Sequence, residues 1–180
     1  VPFIEGMEVP TGAEDAYYTP VPSKTSATVY EHAALALDRS LATGANGLPL
    51  MGSGDWNDGM NRVGYQGRGE SVWLGWFLCD LVAGFAPIAR SRADTQRAVR
   101  WETAALGWQA SLNENAWDGD WFVRAFFDNG RPLGTHTNSE ARIDLMAQSW
   151  AVLSGATTLQ RQQQAMRSVA SLLADASTGL

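Results

Sequence analysis

The chain has 180 residues, 19 acidic and 13 basic, giving a formal charge of −6. That length fits one domain with a full core, and the acidic balance excludes nucleic acid and anionic membrane surfaces as expected partners, because both recruit basic patches. A single cysteine, Cys79, excludes an internal disulfide framework and allows a reducing compartment.

Residues 1 to 24 hold four of the seven prolines and two glycines, and they read as an extended, irregular arm. From Ser26 the spacing turns helical: Val29, Ala33, Ala36, Leu37, Ser40 and Leu41 share a face, and Gly44 stands where a C′ glycine ends a helix. A helix over about 26 to 43 is expected. The stretch Gly47 to Asn61 then suits neither helix nor strand. Gly52, Gly54 and Gly59 are entropically costly in both, and Asp55, Asn57 and Asp58 bond their own backbone. It is a loop, carrying two carboxylates and an amide beside Trp56. A second glycine-rich stretch runs from Gly64 to Gly69.

From about 70 to 91 apolar residues fall on every side of the helical wheel, which predicts a helix buried on most of its faces. Asp94 is placed to cap the next helix, where Ala98, Trp101, Ala105, Trp108 and Leu112 recur at steps of three and four. The run Trp121 to Phe127 is aromatic and β-branched, and Asp128-Asn129-Gly130 is a turn signal, so a short β-hairpin is expected among the helices. Ile143, Met146, Ala147, Trp150 and Leu153 restore helical spacing as far as Gly155. Thr157 with Gln160 makes a capping-box pattern for a last helix carrying Leu159, Met166, Val169 and Leu173. About five or six helices result, all-α apart from the hairpin. No run of about 18 apolar residues and no leader pattern is recognised, so the segment is expected to be soluble and cytoplasmic, compatible with a membrane-anchored parent. The opening Val1 and the unfinished close read as those of a piece of a longer protein.

Two histidines, His32 and His136, lack partners at metal-ligand spacing and read as structural, so no metal is expected. The glycine-rich stretches match neither a phosphate loop nor a dinucleotide fingerprint, and no nucleophile elbow is present. What remains is carboxylate beside tryptophan. Glycosidic cleavage needs a proton donor on the leaving oxygen and commonly an aromatic face for the sugar. Asp58 is a candidate acid; equally, Asp55 and Asp58 can cap turns or bind a structural cation.

The stretch Gly47 to Gly64 with Gly69-Glu70-Ser71-Val72-Trp73-Leu74 resembles the carbohydrate phosphorylases of glycoside hydrolase family 94. Within that family it is most similar to the C-terminal, phosphorylase-like region of cyclic β-1,2-glucan synthases. Tyr30-Glu31-His32, Ala36 to Ser40, Pro2-Phe3 with Glu14 to Tyr17, and Asn138-x-Glu140-x-Arg142-Ile143-Asp144 with Ala147 to Val152 agree with it, so the resemblance covers almost the whole chain. It implies part of an (α/α)6 toroid, with residues 1 to 180 forming a single partial catalytic domain. It also implies Asp58 as general acid, Trp56 lining the sugar site, and Gln148 contacting the same sugar. Asp55 is expected to orient the loop or a sugar hydroxyl, Asn57 belongs to the same motif, and Glu140 is a further candidate that could pair with Arg142. No cofactor is implied: inorganic phosphate is the co-substrate and β-glucan oligosaccharide the substrate. Most phosphate-binding residues of the family are expected outside residues 1 to 180. Unless two copies complete a site, little or no phosphorolysis is expected of this piece alone. A half toroid also exposes apolar helix faces, so self-association is expected. Two other readings stand beside phosphorolysis. One is a catalytically silent glucan-binding piece, the other an inverting hydrolase with Glu140 as base.

Overall fold

A computed structural model describes residues 1 to 13, 16 to 57, 59 to 175, and 177 and 178. It contains five helices and five short strands among those residues, dividing into two compact units, Val1–Arg39 and Ser40–Leu180.

In the first unit, β1 (Pro2–Glu5) pairs antiparallel with β2 (Val21–Ser26), in the register Pro2 to Ser26 and Glu5 to Val21. The expected irregular arm is thus corrected: its two ends form a ribbon, and Tyr18 donates from its hydroxyl to the Glu8 carbonyl at 3.2 Å across the intervening loop. The helix α1 (Val29–Arg39) is shorter than the spacing suggested. Ser26 belongs to β2, and the Thr28 hydroxyl accepts from the Glu31 amide at 3.1 Å, so capping begins two residues later. Ala34 and Leu37 are its buried residues. His32 lies 4.2 Å from the Phe3 ring, with Nε2 3.1 Å from the Val1 carbonyl, a structural placement.

The second unit opens with a turn in which Gly44 does not serve as a left-handed helix terminator. Its missing Cβ makes room for Glu70, because a Cβ there would stand 2.5 Å from the Glu70 Cδ. The helix α2 (Val72–Ser91) starts at Ser71, whose hydroxyl accepts from the Leu74 amide at 3.1 Å. Residues 92 to 94 turn the chain, and α3 (Thr95–Asn115) starts at the expected cap, Asp94. α2 packs on α3 and on α4 (Leu145–Leu153), and α4 packs on α5 (Leu159–Leu172). Gly75 allows the close approach of α2 and α3, with a Leu112 side-chain carbon 3.1 Å from where its Cβ would be.

Two expectations for α2 are corrected. Its first two turns are buried on all sides, as expected, but beyond Leu78 it is buried along one face only, that of Val82, Ala86 and Ala89, with Leu81 and Ile88 exposed. It is also long and apolar enough, by length and composition, to cross a membrane, contrary to the expectation that the chain holds no such run. Here its buried face, with Trp73, Trp76, Leu78 and Val82, joins the core. Trp76, Trp101, Trp108, Phe122 and Leu112 are fully buried, and Trp76 meets Phe122 edge-on at 4.9 Å. At about 25 cal/mol per Å² of apolar surface, burying aromatic side chains of this size supplies the largest single share of core stabilisation.

The hairpin is present but short: β4 (Ala125–Phe126) pairs with β5 (Pro132–Leu133) across the expected Asp128-Asn129-Gly130 turn. Sequence reasoning missed its third strand, β3 (Glu70–Ser71), which pairs with β4 in the register Glu70 to Phe126. At α5 the cap is Thr158, accepting from the Arg161 amide at 3.3 Å, and not Thr157, whose hydroxyl donates to the Asn113 Oδ1. Ser168 on α5 donates to the Asp120 carbonyl at 3.0 Å, tying the last helix down.

Candidate functional site

The loop from Gly47 to Asn61 is anchored at its base by sheet-like pairing. The Met51 amide donates to the Gly69 carbonyl at 2.8 Å and the Ser71 amide donates to the Pro49 carbonyl at 3.0 Å, with Leu48, Pro49 and Met51 buried beneath. The second glycine-rich stretch, unassigned from the sequence, has a packing reason. A Cβ on Gly64 would stand 2.8 Å from the Gly52 carbonyl oxygen, and one on Gly69 2.5 Å from the Gly64 Cα. Three stretches of backbone meet there, and only glycine fits.

Carboxylates from other elements close each neighbouring loop. Glu70, 1% exposed, accepts from the Leu48 amide at 2.9 Å, the Asn46 amide at 3.0 Å and the Asn46 side chain at 2.6 Å. Asp128 accepts from the amides of Gln66, Arg68 and Gly69. Desolvation pushes its pKa up, but those three amides and the Arg68 charge together outweigh it and hold the carboxyl below the usual aspartate value. Asp118 accepts from the His136 amide, the Thr135 hydroxyl and, at 2.7 Å, the His136 Nδ1, so His136 serves a structural contact.

At the loop's tip Asp55 is fully buried in its side chain. Its Oδ1 accepts from the Asn57 amide at 3.0 Å, folding a turn on itself, and its Oδ2 accepts from the Ser71 hydroxyl at 2.8 Å. The Arg124 guanidinium, 2% exposed, lies 2.7 Å from Oδ2 and donates to Oδ1 at 2.8 Å. Among the described residues Arg124 Nε has no hydrogen-bond partner, and it stands 3.6 Å from Asp144, the cap of α4. Trp56, between Asp55 and Asn57, is 75% exposed, which leaves its ring free for a ligand. The Asn57 side-chain nitrogen, Nδ2, is 4.0 Å from the Met146 sulfur on α4.

Asp58, the expected acid, lies outside the described residues. Gln148 is fully buried in α4: it accepts from the Phe122 amide at 2.8 Å and donates to the carbonyls of Phe122 at 2.7 Å and Asp144 at 2.9 Å. It therefore ties α4 to the segment before β4. Glu140 and Arg142 are exposed in the segment before α4, and no ion pair joins them among the described residues. Sequence reasoning brought Asp55, Trp56 and Asn57 together but gave no role to Arg124, Ser71 or Asp144. Arg124 was detectable as the one charge inside the apolar run Trp121 to Phe127. Among the described residues, no group of three or more His, Cys, Asp or Glu side chains is arranged to hold a metal ion.

Comparison with known proteins bears on this loop. The sequence model of the glycosyl hydrolase 94 superfamily catalytic domain matches residues 1 to 180. The chain is 47% identical over 176 residues to the cyclic beta-(1,2)-glucan synthase NdvB of Rhizobium meliloti (strain 1021), covering 97% of this chain and 6% of that protein. It is 40% identical over 151 residues to the 3-O-beta-D-glucopyranosyl-beta-D-glucuronide phosphorylase of Paenibacillus borealis, covering 83% of this chain and 20% of that protein. It is 33% identical over 146 residues to the N,N'-diacetylchitobiose phosphorylase of Vibrio furnissii, covering 79% of this chain and 18% of that protein. The chain thus spans a fifth or less of the length of these relatives. The mostly α content with a short β-hairpin is that of part of an (α/α)6 toroid, and the chain belongs to the glycosyl hydrolase 94 superfamily as catalytic-domain sequence.

Proposed function

We propose that this chain is part of a catalytic domain that cleaves β-linked gluco-oligosaccharides with inorganic phosphate, with β-1,2-glucan the favoured substrate. The observation that carries the reading is the turn at Asp55 to Asn57, which offers an exposed indole beside a buried, fully bonded carboxylate. A flat aromatic face at a loop tip suits stacking against a sugar ring. Asp58, next in the chain, is the general acid. It protonates the leaving glycosidic oxygen while a phosphate oxygen attacks the anomeric carbon from the opposite face, so the glycosidic C–O bond breaks as the phosphate ester forms with inversion. The products are glucose 1-phosphate and a shortened glucan. Asp55 and Asn57 shape the turn, Gln148 holds the neighbouring backbone, and Glu140 lies with the exposed residues before α4. Phosphate serves as nucleophile, so no cofactor is required.

The exposed side chains of Leu106, Leu153 and Leu159 support self-association, and the single cysteine with a phosphate-consuming reaction suits a cytoplasmic setting. The test is glucose 1-phosphate release from β-1,2-linked gluco-oligosaccharides with and without phosphate. Release is expected only with phosphate, and Asp58→Asn is expected to lower it by about 10²- to 10⁴-fold, the usual worth of a positioned acid. Phosphate-independent release of free glucose would select the hydrolase instead. Calorimetric sugar binding without turnover would select a silent binding piece.

A further inference from the structure

The Asp55 carboxylate meets groups from three separate parts of the chain. Its own turn supplies the Asn57 amide, the start of α2 supplies the Ser71 hydroxyl, and the segment leading into β4 supplies the Arg124 guanidinium. Arg124 is itself fixed along its backbone, since its amide donates to the Leu133 carbonyl at 2.7 Å and its carbonyl accepts from the Val72 amide at 3.2 Å. Its Nη1 also reaches the Ser71 hydroxyl at 3.4 Å, and its Nε faces the Asp144 carboxylate at 3.6 Å. One guanidinium therefore touches the caps of α2 and α4 and the turn that carries Trp56. A charge this deeply buried is costly unless paired, so whatever it pairs with is held firmly. Among the described residues the turn has few contacts beyond these: the Gly54 amide donates to the Met51 carbonyl at 3.3 Å, and the Asn57 side chain makes its long contact with Met146.

We propose that Arg124 is a positioning residue for this site. It clamps Asp55, and through Asp55 it fixes the direction of Trp56 and the turn as far as Asn57. It does not touch substrate, being 2% exposed. The catalytic consequence rests on the phosphorolysis reading above; the mechanical part does not.

The experiment compares Arg124→Met, Arg124→Lys and Asp55→Asn with wild type and with Glu102→Gln, which breaks an exposed ion pair with Arg90 far from the turn in sequence. Amide hydrogen exchange of a peptide spanning residues 52 to 62 is read by mass spectrometry, alongside kcat and KM for phosphorolysis. Arg124→Met and Asp55→Asn are expected to speed exchange in that peptide by roughly tenfold, leaving peptides within α3 unchanged. They are also expected to lower kcat by about 100-fold, the usual effect of a small misplacement, with KM within about threefold. Arg124→Lys should recover part of both, and Glu102→Gln should alter neither. If Arg124→Met does not fold, Asp55→Asn and Arg124→Lys, which keep volume or charge, decide the matter. Unchanged exchange at residues 52 to 62 in a folded variant overturns the proposal, as does faster exchange with kcat untouched. Absence of turnover in wild type overturns the phosphorolysis reading alone, and exchange then decides the clamp.

Discussion

Replacing Glu70 by alanine removes the acceptor that closes the Gly44 to Leu48 turn. The Leu48 amide is fully buried and loses a charge-assisted hydrogen bond, a loss of about 1.5–3 kcal/mol. The Asn46 amide is half-buried and can regain water in part, so its loss is about 1 kcal/mol. The Asn46 side chain can turn to solvent, adding about 0.5 kcal/mol. Glu70→Ala is therefore expected to destabilise by about 3–4.5 kcal/mol, which for a chain of this size corresponds to a fall in Tm of about 6–18 °C. Glu70→Gln should recover less than half of that, because its NH2 would face donors. Urea unfolding with an unchanged m-value measures the free energy, and amide exchange at residues 43 to 50 localises it. A loss below about 1 kcal/mol, well under the normal worth of a buried charge-assisted bond, would refute the assignment of Glu70 as the turn's acceptor.

Asp128 has a depressed pKa in the folded chain, so its contribution is present above the ordinary value of 3.8 and is lost as pH falls through the lower folded value. The stability difference between wild type and Asp128→Asn should therefore be constant above pH 3.8 and shrink below it, as followed by urea midpoints across pH; a difference that grows on acidification would contradict the three-amide clamp. Burial pushes the Cys79 thiol up to about 12 from 9.0. At pH 8 its thiolate fraction is then ~1000-fold below that of an ordinary thiol, and a disulfide reagent should label it far more slowly in the folded chain than in urea; equal rates would show that the thiol is not desolvated.

The helices were legible because burial of one face imposes a 3.6-residue rhythm, and the side chains that carry it, Trp101, Trp108 and Leu112 on α3, are the ones that end up fully buried. The edges were less legible. Ser26 fits a helical pattern as well as it fits β2, and only pairing with Pro2 decides it. Thr157 and Thr158 are chemically alike, and Asn113, 44 positions away from Thr157, takes the first and leaves the second to cap α5. The all-round apolar pattern of α2 overstated its burial, since composition does not say how many neighbours a helix has. At the loop, composition identified Asp55, Trp56 and Asn57 as unusual. It could not reveal Ser71 and Arg124, 16 and 69 positions from Asp55, because a contact that long in sequence leaves no periodic trace. The glycines at 64 and 69 were visible as glycines, but their reason is a crossing of backbones.

Ser71 caps α2 and donates to Asp55 with the same hydroxyl, so the turn and the first helical residues behave as one mechanical part. This sets the smallest piece that can be moved between proteins. A graft of residues 47 to 61 onto another toroid would carry Trp56 without the groups that aim it, whereas a graft that also brings Glu70, Ser71 and Arg124 transfers the turn together with its mounting.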